Sequence, residues 1–268
     1  MVFLDYSLWP STSEVSPVLN DNSWETISKV ASANEGENYW SVGDCKQVTL
    51  NGTVSKLKLS NYSTYAFIIG FNHNSSREGV GRIHFQFGKT ALTRGSDICF
   101  ISGYDNDSDF YMNSNNSTRG GWNSSYMRNT ICGTNLSSYS GTFIAVIPAL
   151  LRAVLKSVTK YTNNDGNISS SSSVTATTDY FFLLSEYEIF GGVIWANIYE
   201  ANYQEQYAYY AVGNSKIKHR HDKINTDIQW WTRSPQNDSF YNFVSVINGN
   251  VGIVAAKYSL GVAPGFCV

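Results

Sequence analysis

The sequence predicts an α+β domain: antiparallel strands with a few flanking helices and much irregular loop. Three observations lead there. Several runs are wholly apolar or alternate apolar with polar residues, and they are bounded by Asn-Gly and other turn residues. Helical spacing is confined to separate stretches that begin at capping residues or proline. Between them lie polar Ser, Thr, Asn and Gly segments. At 268 residues the chain suits one large domain or two small ones and can bury a full core.

In chain order, residues 1–20 lack periodicity, contain Pro10 and Pro17, and are expected as an N-terminal arm or linker ahead of a domain over 21–268. Asn22 is expected to cap a helix over about 23–33, with Glu25 closing a capping-box-like contact and Gly36 ending it. Lys46–Leu50 and Val54–Leu59 flank Asn51-Gly52, a dipeptide suited to a tight hairpin turn. Tyr65–Phe71 is a near-continuous apolar run, the pattern of a buried strand. Over Arg82–Phe87, Ile83, Phe85 and Phe87 alternate with Arg82, His84 and Gln86, the period of a half-buried strand. His84 then falls on the polar side, expected as a solvated or hydrogen-bonded histidine rather than a ligand.

Residues 102–121 are polar and bounded by glycine, hence loop. Their Asp-Asn-Asp-Ser-Asp string invites a calcium reading but lacks the sixth-position Gly and distal Glu of an EF-hand loop. Trp122–Ile131 is expected as a short helix. Pro148 opens the clearest helical pattern, with Leu150, Leu151, Val154, Leu155 and Val158 on one stripe, ending near Tyr161. Residues 163–178 are expected as a Ser/Thr/Asn loop. Asp179–Leu184 follows as a buried strand leading to Glu186 and Glu188, carboxylates that would share one face of a strand. With no His or nucleophile nearby in sequence, they are expected as structural hydrogen-bond acceptors rather than as an acid/base pair. Glu200–Val212 has Tyr203, Tyr207 and Tyr210 at helical spacing. His219-Arg220-His221-Asp222 is the one run that looks like a metal site. Without a third ligand it is expected as a polar edge, and no metal is assigned.

Composition narrows the function. The chain is 42% hydrophobic and 15% charged with net charge −2, which gives no electrostatic pull toward nucleic acid or an anionic membrane. No segment approaches the ~20 apolar residues of a membrane span, so membrane insertion is not expected. The 18 Tyr, with abundant Asn and Ser, match what binding loops use, although a β-rich fold alone could account for them. Cys45, Cys99, Cys132 and Cys267 form no C-x-x-C pair. Free buried thiols are the default, with a single bridge left open. No signal peptide is visible at the start of the sequence, so the N-x-S/T sequons at Asn51, Asn61 and Asn74 are expected as by-products of composition.

The C-terminal stretch is framed by two rigid blocks, Trp230-Trp231-Thr232-Arg233-Ser234-Pro235 and Gly261-Val262-Ala263-Pro264-Gly265-Phe266. Between them, Phe243–Ile247 and Asn250–Val254 are expected as two strands joined at Asn248-Gly249. Pro235 and Pro264 fix φ at the borders, Trp230 and Trp231 anchor the frame, and Arg233 is placed to tie the entering strand to carbonyls or a carboxylate.

Taken with Tyr39-Trp40-Ser41-Val42-Gly43-Asp44, Gly120-Gly121-Trp122-Asn123-Ser124-Ser125-Tyr126-Met127-Arg128 and Phe182-Leu183-Leu184-Ser185-Glu186-Tyr187-Glu188, these blocks resemble a family of C-type-lectin-like domains of gut bacteria and their phages. The resemblance spans about residues 22–268. Some members of that family are similar to the variable proteins of diversity-generating retroelements, which share the formylglycine-generating-enzyme fold and display mutated residues near the C-terminus. It implies a C-type-lectin-like fold with a variable segment at about 231–260. Adenine mutagenesis of Asn codons cannot reach Lys, Glu, Gln, Met or Trp, and Asn237–Ala256 contains none of these, while Gln236 and Lys257 flank it.

The resemblance therefore implies a non-enzymatic protein with no cofactor that binds a protein or glycan ligand on a cell surface, acting from a virion or cell surface in adhesion. The expected contact residues are Asn237, Asp238, Ser239, Phe240, Tyr241, Asn242, Ser245, Ile247 and Asn248. Two alternatives are weighed against it. A formylglycine-generating-type enzyme needs two reactive cysteines placed together, and no local pairing motif supplies them. A calcium-dependent sugar lectin would carry a Glu-Pro-Asn or Gln-Pro-Asp tripeptide, and neither occurs.

Overall fold

The computed structural model describes residues 15–103 and 108–268. The greater part of the expected arm, and most of the Asp-rich string, lie outside the described residues. Residues 15–20 pack onto the domain, with Val15 and Leu19 buried.

The first helix is Trp24–Ser32, and its cap is Ser23, whose hydroxyl accepts the Thr26 N–H. Asn22, the expected cap, instead uses its amide to bind the Ser16 and Val18 carbonyls. Trp24, Ile27, Val30 and Ala31 form the buried stripe.

The strands are β1 (Cys45–Val54), β2 (Leu57–Phe71), β3 (Ile83–Lys89), β4 (Ile98–Cys99), β5 (Val158–Asn163), β6 (Val174–Asp179), β7 (Phe181–Phe182), β8 (Lys218–Arg220), β9 (Lys223–Ile228), β10 (Trp230–Pro235), β11 (Asn242–Ile247), β12 (Asn250–Ala255) and β13 (Gly265–Cys267). The main sheet runs β1-β2-β3-β13-β7, antiparallel throughout. Smaller sheets are β10-β11-β12, β4-β8-β9 and β5-β6. This is a mixed α+β arrangement, as expected. Phe85, Phe87, Phe181 and Phe266 stack within the main sheet, and Trp24 meets Phe85 and Phe266 edge-on.

Several expected elements differ. The β1–β2 turn lies at Ser55-Lys56, and Asn51-Gly52 is absorbed into a register shift that lengthens β1. β3 is buried on both faces rather than one. Its polar side is covered by buried tyrosines that satisfy it: Tyr210 donates to Gln86 and Tyr207 lies 3.1 Å from His84.

The helix expected from Pro148 lasts only for Ala149–Arg152, and Leu150 is 78% exposed. The Arg152 guanidinium binds the Ile144, Ala145 and Ile147 carbonyls, and the β-branched run from Val158 pairs with β6 instead. β6 itself comes out of the expected 163–178 loop. Glu186–Phe190 is a short helix rather than a strand, closed by a Ser185/Glu188 capping box. Trp122–Ile131 divides into a short helix at Gly121–Ser124 and a π-helical turn at Met127–Cys132. Residues 200–212 divide into a 3-10 turn at Ile198–Asn202 and a helix at Ala208–Ala211. The Asn248-Gly249 hairpin is as expected, with positive φ at both positions and Ile247 paired with Asn250.

Candidate functional site

The frame beneath the C-terminal segment is polar and fully buried. Arg233, on β10, donates to both oxygens of Glu188, to the Leu183 carbonyl at 2.9 Å and to Thr162 Oγ1 at 2.8 Å. Glu188 in turn accepts from Lys160 Nζ at 3.0 Å, and Lys160 reaches both oxygens of Glu78 and the Tyr207 hydroxyl. Two cations thus interleave with two carboxylates, so that each buried charge lies against an opposite one. Burial alone would raise Glu188, but Arg233 and Lys160 overcome it and hold the carboxyl well below the usual range. Burial pushes Glu78 up to about 7, against the pull of Lys160. His73 stacks on Tyr207 with ring centroids 3.7 Å apart, and burial pushes it down to about 3. Trp122 and Arg128 grip the Asp179 carboxylate in the same manner, at 3.1 and 2.6 Å.

His73, Glu78 and Glu188 each offer a ligand atom within 4.8 Å of the others, a spacing that could hold a metal ion. The Lys160 ammonium lies 2.8–3.0 Å from both carboxylates and already supplies the positive charge between them. His219 sits 2.7 Å from Asp227 and Arg220 clasps Asp222, so the His-Arg-His-Asp run is spread among local partners. All four cysteines are free and buried, and burial pushes Cys45 up to about 11 and Cys99 up to about 12.

From this frame the chain emerges at Pro235 and is clamped on both sides. Asn237 N–H donates to the Trp195 carbonyl at 2.7 Å, and Ala196 bridges Gln236. Thr118 binds the neighbouring carbonyls, its N–H to Phe240 at 2.9 Å and its hydroxyl to Ser239 at 2.7 Å. Ala256 N–H donates to the Tyr241 carbonyl. The flanking loop is held from below by Glu186, a buried carboxylate that accepts the N–H groups of Ile194, Trp195 and Ala196. The Asn197 amide extends the contact to the Ile168 and Ser170 carbonyls.

Backbone groups are consumed inward, so the side chains turn out. Phe240 is 62% exposed and Tyr241 59%. Ile168, Ile194, Trp195, Ile198 and Tyr199 on the adjoining loops are exposed as well. A cavity of about 870 Å³ opens beside Phe240, and a second of about 590 Å³ lies between Tyr111, Arg220, Ile228 and Tyr258.

The expected contact residues do not form one patch. Asn237, Asp238, Ser239, Phe240, Tyr241 and Asn242 cluster on the clamped loop. Ser239 Oγ accepts the Tyr241 and Asn242 N–H groups, and Asn242 donates to Gln236, so these two shape the loop as well as lining it. Ile247 and Asn248 are exposed at the other end of β11, about 17 Å away at strand spacing. Ser245 is buried, its hydroxyl taken by Gln229 at 2.7 Å, and the expectation that it faces outward is corrected. Trp230, Trp231, Arg233, Pro235 and Pro264 are all buried as frame residues. Trp231 Nε1 donates to Phe110 and Trp230 Nε1 to Lys216.

The loops around 168 and 194–199 were not expected at the surface patch. One signal was available: Val193-Ile194-Trp195 and Ile198-Tyr199 are large apolar residues beside Gly191-Gly192 and without strand or helix period.

Residues 99–268 match the model of a family described as a domain of unknown function, DUF6273. The chain belongs to this family. The DUF6273 match contains the clamped loop, both cavities, Arg233 and Glu188, but Glu78 and the strands β1, β2 and β3 precede it. No curated protein matches the chain, and no solved structure does.

Proposed function

We propose that this protein is a non-enzymatic ligand-binding protein that presents the 236–242 loop and its neighbours to a protein or glycan on a cell surface. The observation that carries the reading is the set of exposed rings and aliphatic side chains on loops whose backbone is tied to Thr118, to Ala256 and to one another, with the 194–196 backbone held by the buried Glu186 carboxylate. Rigid aromatic anchors dominate recognition surfaces, and preorganisation lowers the entropic cost of binding. The resemblance of its sequence blocks to C-type-lectin-like variable proteins supports the same reading, in which the protein acts in adhesion from a virion or cell surface. The buried, protonated thiols and the absence of a reactive pair among the described residues weigh against formylglycine-type chemistry. No helix of the described residues is long and apolar enough to cross a membrane.

The test is adsorption of the labelled protein to bacterial cells. Phe240→Ala with Tyr241→Ala should weaken adsorption by about thirtyfold or more, the scale of an aromatic hot spot. Unchanged adsorption in the double variant would remove the surface from consideration. Independently, a template repeat near the gene that copies codons 231–260 except at adenines would establish diversification of the segment.

A further inference from the structure

The 870 Å³ cavity beside Phe240 has a composition of its own. It lies between the loops at 113–124 and 164–168, outside the C-terminal segment except for Phe240. Among its lining groups, Asn115, Asn167 and Arg119 have no side-chain partner among the described residues, whereas Asn113 and Asn164 are spent on holding the loops. Arg119 is the one cation in the lining, and Asp165 offsets its charge.

The walls are fixed at backbone distance. A Cβ on Gly121 would lie 2.0 Å from the Asn163 carbonyl oxygen, and one on Gly166 would lie 2.1 Å from that of Thr118. Both have positive φ, so only glycine lets the two loops meet this closely. Thr118 also binds the Ser239 and Phe240 carbonyls, which joins the third wall to the first two.

We propose that this cavity is a carbohydrate subsite. A sugar presents hydroxyl groups that both donate and accept, and a side-chain amide does both in one plane. A sugar also presents an apolar C–H face, for which the exposed Phe240 ring is the complement. The volume lies within the range of small-ligand cavities. A phosphorylated ligand would call for more positive charge than a single Arg beside an Asp, and a strongly apolar ligand would leave the free amides unpaired. The assignment rests on the recognition reading above and selects the ligand class for one part of that surface.

The experiment is saturation-transfer NMR on the full chain with maltotriose, cellotriose, triacetylchitotriose and 3′-sialyllactose. The expected result is transfer to at least one trisaccharide, weakened tenfold or more by Asn115→Ala with Asn167→Ala, and by Phe240→Ala separately. The native amide spectrum of each variant guards against loss of the fold. Transfer to none of the four, or transfer that the amide substitutions leave unchanged, overturns the assignment. Should Trp195→Ala or Tyr241→Ala abolish cell adsorption while no trisaccharide binds, the recognition reading stands and the subsite alone falls. If neither adsorption nor transfer is seen, both fall.

Discussion

Removing the Arg233 guanidinium would leave Glu188 charged, buried and with Lys160 as its remaining cation. Arg233→Met should therefore destabilise the protein by about 3–5 kcal/mol, measured by urea unfolding. The double change Arg233→Met with Glu188→Leu should recover much of that, because Lys160 and Glu78 remain a neutral pair. Glu200 gives a second test through pH. Burial pushes its carboxyl up to about 7, against hydrogen bonds from Asn163 and Ser234. The folded state then favours the protonated form, so this contribution is full below about 4.5 and fades as pH rises through about 7. Wild type should lose stability relative to Glu200→Gln between pH 5 and pH 8, by up to about 3 kcal/mol. His73 runs the other way. Pushed down to about 3, it favours folding above about 6.5 and loses that contribution as pH falls toward 3. Arg233 was legible as a tether because it stands in a rigid block. Its network was not, since Glu78 and Lys160 are 82 positions apart in the chain and neither carries a local signature.

Local chemistry that fixes its own backbone could be read at the level of elements. Asn248-Gly249 demands positive φ at both positions and gave the β11–β12 hairpin, whereas Asn51-Gly52, with the same chemistry, was overruled by pairing that runs on to Val54. The stripe after Pro148 had helical spacing, but its β-branched residues are strand formers, and pairing with β6 decided the outcome. The Ser185–Glu188 spacing was a capping-box signature that the strand reading passed over. Ser245 was placed outward by alternation alone. Period-2 patterning cannot show that the Gln229 side chain reaches over to take the Ser245 hydroxyl. Glu186 offers the test at this scale. Glu186→Ala would strip the partner from the N–H groups of Ile194, Trp195 and Ala196, and hydrogen exchange should accelerate at these amides and at Asn237, which hangs from Trp195. Global stability would fall too, so the informative readout is exchange at these positions relative to the core amides of β3.

For the whole molecule, the family match and the folding unit do not coincide. The DUF6273 match begins at Cys99, yet β13 and β7 within it complete a sheet whose other strands lie before it. A fragment of residues 99–268 would expose one edge of β13 and leave Lys160 without Glu78. It should fail to give a dispersed amide spectrum, and adding back residues 15–98 in one chain should restore it. The α+β class was visible from strand punctuation and short helices. The burial of both faces of β3 was not, because the tyrosines that satisfy its polar side come from residues 207 and 210.

β13 follows the surface loop in the chain but sits in the interior of the main sheet, between β3 and β7. During synthesis, every residue of the loop is therefore made before the strand that closes the sheet. A stop codon or frameshift in the stretch of gene that encodes the loop would yield a chain without β13, the strand that joins β7 to β3, and such a product should be cleared by proteases. The chain order thus makes an intact reading frame through the loop a condition for completing the main sheet.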